Sequence, residues 1–429
     1  MATRWAALPA WLALSPLLVL YVALALATGH ATGADGGYYL EYGAALAGAR
    51  AVTLDDLWAG PGYALLVALL RRLGGGATTV LLVNAGLLYA AVLLTADTLA
   101  GYVPRLRAYL LATTIGASPI ALDNLRFAMS EPLTTLLVAG CAWLLLRRGE
   151  RPSRWPLAAA LLWLALTKVL FAYILLVVAV LVGGYRLLGR RHPWRRRLPV
   201  ISFALALLGL LPYLAYTEWL TGRRFHLANA GGSSLYSMSS PYPGEVGSWI
   251  PRDFRARPSR TQPAWVSDTA TARWRRHHRA TIAELAGAES ALARDAIYRR
   301  RAWRNIRAHP WRFARNYVAN HARMWLSWPF SFYVVTWVPP VVAGYHALLF
   351  GLVTWTRRAR TQSFAPSAAL PLGLLLIVYL VLSGALSAYP RQLYVVLPWV
   401  ITLGVGGTLP RASGRRPPLS PAPRTAGAA

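Results

Sequence analysis

LALSPLLVLYVALAL (Leu12–Leu26), followed by GADGGYYLE (Gly33–Glu41), decides how this chain is read. The first stretch is an apolar run, and about 17–25 such residues are what a helix needs to cross a bilayer. The second supplies a carboxylate, Asp35, just where such a run would meet water. No small-residue cleavage site of the usual kind follows the run, so it is expected to be retained as a first span. Acids are scarce here: 15 against 45 basic residues. A rare carboxylate among glycines and tyrosines at a membrane boundary is a candidate catalytic base. The alternative is a solvated turn carboxylate.

Working outward, apolar runs recur between arginine-rich stretches. The chain is 56% hydrophobic and 14% charged. We expect an all-α polytopic membrane protein with about ten transmembrane helices and two outer loops containing interfacial helices. The spans are placed near 9–28, 78–101, 107–122, 131–147, 155–167, 169–188, 199–219, 332–355, 368–387 and 393–409. The fifth and sixth form one apolar stretch broken at Thr167-Lys168. No internal repeat is evident.

The net charge of +30 resembles that of a nucleic-acid binder, but topology accounts for much of it. Short cytoplasmic loops are enriched in Lys and Arg. Arg4, Arg105/Arg107, Arg147/Arg148/Arg151/Arg154, Arg186 through Arg197, Arg357/Arg358/Arg360 and Arg411/Arg415/Arg416 all fall on one side if both termini are cytoplasmic. No nucleic-acid partner is expected. All but one of the basic residues are Arg; the exception is Lys168. The single cysteine, Cys141, excludes an intramolecular disulfide and a Cys-based metal site.

Four regions follow. Residues 1–219 form a membrane module whose first outer loop, 29–77, holds Asp35. Residues 220–331 form a large outer loop, 332–409 the late spans, and 410–429 a Pro/Arg/Ala-rich tail expected to be disordered. In the first loop, Tyr63 to Leu73 reads as an interfacial helix. The second loop carries 19 Arg and 6 acids over 221–329. It is expected to open irregularly over Gly231–Gly247, then to form one helix over Ile282–Arg307 and another from Pro310. The latter places Phe313, Tyr317, His321, Met324 and Trp328 on one face, either lying on the membrane or capping the bundle.

On this topology several charges reach one outer level: Asp35; Asp123, Arg126 and Glu131; Lys168; and Arg391. Ionisable groups at membrane depth usually face a bundle interior or a wet cavity. The alternatives are that Lys168 snorkels to the interface, that Arg391 is a short-loop charge, and that Asp123, Arg126 and Glu131 pair among themselves. Asp97 reads as structural. His277-His278 has no third ligand at zinc spacing, and no metal ligands are assigned. No P-loop, GxSxG elbow or dinucleotide fingerprint is present, which argues against nucleotide-driven chemistry. An acid beside cations suits proton removal from an attacking hydroxyl and stabilisation of a phosphate leaving group.

With these residues in place, the chain resembles the GT-C superfamily of polyprenyl-phosphate-sugar-dependent glycosyltransferases, which includes protein O-mannosyltransferase and aminoarabinose transferase relatives. Asp35 with Tyr39 resembles the acid-bearing first outer loop. Gly60-Pro61-Gly62-Tyr63 resembles its Pro-Gly-Tyr element. Arg126 with Ser130-Glu131-Pro132-Leu133, Leu166-Thr167-Lys168, Ala308-His309-Pro310-Trp311, and Arg391-Gln392-Leu393-Tyr394 with Pro398 resemble later elements in the same order. The ordered set spans about residues 10–408. One departure stands out: many relatives carry an Asp-Glu pair in the first loop, whereas Gly36 follows Asp35 here.

The resemblance implies inverting transfer of a sugar, mannose as the default, from a polyprenyl-phosphate donor to an acceptor of unassigned identity outside the cytoplasm. Asp35 would be the base. Lys168, Arg126 and Arg391 would contact the donor phosphate, and Glu131 and Tyr39 would orient groups. Membrane lipids are the surroundings, no organic cofactor is implied, and a divalent cation is left open. The rival readings are a lipid-linked glycan polymerase or ligase and a lipid-linked-sugar flippase. The first would depend on the 221–329 arginines, and the second would need charges along mid-span.

Overall fold

The computed structural model describes residues 7–28, 35–146, 153–188, 194, 197–243, 245–247, 268–328, 338–386 and 389–406. Arg4, Arg147, Arg148, Arg151, Arg190, Arg191, Arg195, Arg196, the first residues of the 332–355 run and the tail from Pro410 lie outside them.

The described chain is helical, with no strand among the described residues. Among the described residues, four helical stretches are long and apolar enough to cross a membrane: Ala77–Ala100, Leu170–Leu188, Val200–Thr221 and Pro366–Leu386. Shorter apolar helices stand among them. In chain order we label α1 Ser15–Thr28, α2 Gly36–Leu46, α3 Pro61–Arg72, α4 Ala77–Ala100, α5 Arg105–Gly116, α6 Pro119–Asn124, α7 Glu131–Leu146, α8 Arg154–Thr167, α9 Leu170–Leu188, α10 Val200–Gly209 and α11 Leu211–Thr221. Beyond these come α12 Gly231–Met238, α13 Asp268–His277, α14 Arg279–Ala286, α15 Ala291–Ala308, α16 Pro310–Leu326, α17 Val338–Arg358, α18 Pro366–Leu386 and α19 Pro390–Gly406.

Helix α7 is central. It packs against α4, α8, α18 and α19. The Trp399 indole of α19 donates to the Val138 carbonyl of α7 at 2.7 Å, and Phe171 of α9 stacks on Tyr379 of α18 at 5.0 Å. One end of the bundle is fixed by basic and aromatic residues. Arg107 donates to the Trp355 carbonyl at 2.8 Å and lies over the Trp355 ring, while Thr361 N–H reaches the Tyr102 carbonyl at 3.0 Å. A cavity of about 540 Å³ at this end is lined in part by Asp97, Arg105 and Trp143. Asp97 accepts from the Trp143 indole at 2.7 Å.

Three local expectations change. The 107–122 run is two short helices, α5 and α6, interrupted at Ala117-Ser118. Pro119 lacks an N–H and disfavours helix at the residue before it. Ile282–Arg307 is likewise two helices, α14 and α15. Ser290 caps α15 by accepting from Ala293 N–H at 3.2 Å, which stops the chain from running straight through. Gly231–Met238, expected to be irregular, is the helix α12. It is held against α15 by the buried Asp295 carboxylate, which accepts from Gly232 N–H at 2.7 Å. A Cβ at Gly232 would collide with the Asp295 carbonyl, so the absent side chain permits this approach.

The helix from Pro310 forms as expected, but its buried stripe is polar. Asn316, Asn320 and Arg323 are buried, whereas Trp328 is exposed. Asn316 donates to the Met238 and Ser240 carbonyls, and Arg323 to those of Val246 and Gly247. The helix is a clasp for the 238–247 segment. Glu245 completes it by accepting from His277 at 2.7 Å, His278 at 2.9 Å and Ser240. Burial raises the Glu245 pKa, but these hydrogen bonds outweigh it and hold the carboxyl below its ordinary value. Both histidines thus share one carboxylate.

The two long connecting regions dock on each other. Arg294 of α15 meets Asp55 at 2.8 Å, and Asn229 bonds to the Leu54 and Leu57 carbonyls in the 3₁₀ turn Leu54–Trp58. Within the first loop, Arg50 grips Asp56 through two bonds of 2.6 Å.

Candidate functional site

Helix breaks deliver the site. Lys168 sits between α8 and α9 in an extended conformation, so the apolar stretch turns there and presents a cation at its bend. Glu131 opens α7, Arg391 is the second residue of α19, and Asp35 precedes α2. Each is at a helix terminus, where a side chain can face an end of the bundle without crossing the apolar packing.

The four charges join in one chain. Arg391 meets Asp35 at 3.1 Å and approaches Glu131 at 3.9 Å; Glu131 is bonded to Lys168 at 2.9 Å. The Glu131 side chain is only 2% exposed. Its second oxygen, Oε2, is buried with no hydrogen-bond partner. Two carboxylates and two cations balance at this end of the bundle, so removing one leaves a neighbour uncompensated. The Asp35 carboxylate does not cap α2; its carbonyl accepts from Tyr39 N–H at 3.2 Å.

Tyr39 is buried one turn further along α2. Its hydroxyl lies 3.2 Å from Ser130 Oγ, and its ring meets Tyr63 edge-on at 5.0 Å. It thereby fastens α2 to the entry of α7. Arg126 stands apart. Its side chain is 51% exposed and pairs with Asp123 at 3.5 Å, the self-pairing weighed above, while Glu131 turns away to Lys168.

Two further groups hold this frame. Asn84 is fully buried in α4; its amide donates to Tyr63 at 2.8 Å and to the Met129 carbonyl at 3.2 Å, fixing the turn into Ser130-Glu131. Sequence reading passed over Asn84, although a lone Asn inside an apolar run was the available signal. The second is the approach of α3 to the Lys168 bend. A Cβ at Gly60 would overlap the Leu166 carbonyl, and one at Gly62 would meet Thr167 N and Oγ1. These glycines let the helix N-terminus rest on the bend that presents Lys168. Gly60→Ala is therefore expected to destabilise the fold by about 1–3 kcal/mol through overpacking. Thermal unfolding in detergent measures this, with Gly86→Ala, where nothing crowds the new methyl, as the uncrowded comparison. Equal midpoints for the two variants would show that the close approach is unimportant.

No family model matches this chain, and neither does any curated protein or solved structure.

Proposed function

We propose that the chain is a multi-pass membrane glycosyltransferase of GT-C type, with about ten spans, both termini cytoplasmic and its active site at the outer face. It transfers a sugar from a polyprenyl-phosphate donor to an acceptor hydroxyl. The single observation that carries this reading is the Asp35–Arg391–Glu131–Lys168 chain, assembled from four separate segments at one end of an apolar bundle.

The chemistry follows from the charges. Lys168 and Arg391 receive the donor phosphate. Before donor arrives, Arg391 is occupied by Asp35. A phosphate drawn to Arg391 competes for that cation and leaves the Asp35 carboxylate able to accept a proton. The acceptor oxygen then attacks the anomeric carbon as its proton passes to Asp35. The bond from that carbon to the phosphate oxygen breaks, and polyprenyl phosphate leaves with the electron pair, its charge met by the two cations. Attack opposite the leaving group inverts the anomeric centre. Glu131 keeps the two cations in position, and Tyr39 keeps Asp35 at the entry of α7. Mannose is the default donor sugar. Arg126, exposed and paired to Asp123, is left a peripheral role at most.

The test is incubation of purified protein with a panel of polyprenyl-phosphate sugars and an acceptor mixture, measuring release of polyprenyl phosphate. Release from at least one donor is expected; none from any would remove the reading. Topology has its own check. With Cys141 replaced, a cysteine at the exposed Arg224 should react with an impermeant thiol reagent in intact cells, and one at Arg357 should not. The reverse pattern would place Asp35 on the cytoplasmic side.

A further inference from the structure

Helix α16 has a second face, and nothing in the described structure covers it. Trp311 is 86% exposed and Val318 66%, with Ala314, Arg315 and Leu326 also exposed along the same stripe. Just before the His309-Pro310 elbow, α15 exposes Trp303, Arg304 and Arg307. From Ala296 to Trp328 the sequence holds eight arginines and no acid. Five of them are engaged: Arg299 with Asp295, Arg300 and Arg301 with Glu284, Arg312 with the Pro241 carbonyl, and Arg323 with the clasped loop. Arg304, Arg307 and Arg315 point outward beside two exposed tryptophans.

The height of this face is set by its packing. The Tyr317 hydroxyl of α16 donates to the Val381 carbonyl, and the Asn320 amide to that of Gly384, both in the last turns of the membrane-length helix α18. A Cβ at Gly384 would collide with the His321 ring, so the two helices are in close contact there. Helix α16 therefore lies at the level where a spanning helix ends. At that level an apolar stripe flanked by arginine and tryptophan meets acyl chains on one side and headgroups on the other.

We infer that the α15–α16 elbow is a docking surface for anionic phospholipid headgroups of the adjoining leaflet, with Arg304, Arg307 and Arg315 meeting phosphates and Trp311, Val318 and Leu326 entering the acyl boundary. The charge favours an anionic over a zwitterionic lipid, because three cations stand there with no neighbouring acid on the exposed stripe. Through the buried side of the same helix, lipid contact supports the clasp on residues 238–247. The inference rests on the membrane location of the chain but not on its being a glycosyltransferase.

The test uses the full chain reconstituted in phosphatidylcholine vesicles, with Cys141→Ala and a thiol-reactive fluorophore at Ala314→Cys. Quenching is measured with headgroup-spin-labelled phosphatidylglycerol, with labelled phosphatidylcholine, and with a water-soluble nitroxide. Labelled phosphatidylglycerol is expected to quench at the lowest concentration. Replacing Arg304, Arg307 and Arg315 together by Gln should remove that preference. At about 1 kcal/mol, or roughly fivefold, per basic residue near an anionic surface, the combined loss is on the order of a hundredfold in relative association. All three arginines are exposed, and an unchanged unfolding midpoint establishes that the variant is folded. Equal quenching by the two lipids in the unmodified elbow would overturn the inference. So would a preference that survives the triple replacement. Strong quenching by the soluble nitroxide alone would mean that the face meets water and serves a soluble partner, which also overturns it.

Discussion

Asp35→Asn is expected to reduce turnover by about 10²–10⁴-fold, the usual loss when a general base is removed, while membrane insertion and donor binding persist. Asn keeps the shape and one acceptor oxygen but cannot take up the proton. The local geometry sharpens the expectation. The Asp35 side chain does not cap α2, and its carboxylate pairs with Arg391 at 3.1 Å. Removing that acid frees Arg391, so donor affinity should hold or rise while the chemical step fails. Glu41→Gln, on the same helix and exposed, is the control and should be near normal. The measurement is polyprenyl-phosphate release under saturating donor, with donor binding followed separately. Normal turnover in folded Asp35→Asn would remove the mechanism and favour a glycan polymerase or ligase that relies on the outer-loop arginines. Loss of both turnover and donor binding would count against the base assignment, because a pure base should leave binding in place.

Lys168→Met is expected to produce the second large effect, and it has two parts. Glu131 is buried and bonded to Lys168 at 2.9 Å, so deleting the cation leaves an uncompensated carboxylate relieved only by Arg391 at 3.9 Å. Breaking a buried pair this way costs up to about 3–5 kcal/mol. Loss of a charge-assisted phosphate contact, on the order of 1.5–3 kcal/mol, should also weaken donor use roughly ten- to a hundredfold. The double variant Lys168→Met, Glu131→Met separates the two parts. Replacing a buried ion pair by apolar side chains is often neutral or stabilising, so the unfolding midpoint should recover while donor use does not. If the double variant is as unstable as the single, the pair is not what holds this end of the bundle. Donor use at the normal level in Lys168→Met would reduce Lys168 to an interfacial charge.

Much of the candidate site was legible because charge is scarce in this chain. Asp35, Glu131, Lys168 and Arg391 each interrupt or border an apolar run, and counting runs gives all four the same end of the bundle. The pairing was not legible. Glu131 is five residues from Arg126 in sequence and could have paired with it, yet the structure gives Arg126 to Asp123 and Glu131 to Lys168. That choice depends on how α7 is rotated against α8 and α19. The rotation is fixed by contacts remote in sequence, such as Trp399 with Val138 and Asn84 with Met129.

The 220–331 region shows the same division. The start of α16 was readable from Pro310, because proline at the first helical position is a local matter. Its buried face was not, because Asn316 and Arg323 are drawn inward by carbonyls between Met238 and Gly247, about eighty positions away, and Asn320 by the Gly384 carbonyl of α18. Gly231–Met238 has weak helical preference of its own and becomes helix where Asp295 holds its first turn. The sequence by itself determined the helical class, the apolar segments and which charges border them, since hydrophobicity and the scarcity of acids are properties of the chain alone. Only the tertiary structure decided which carboxylate holds which cation and which face of each helix is buried, because those depend on side-chain contacts between segments that local propensity does not encode.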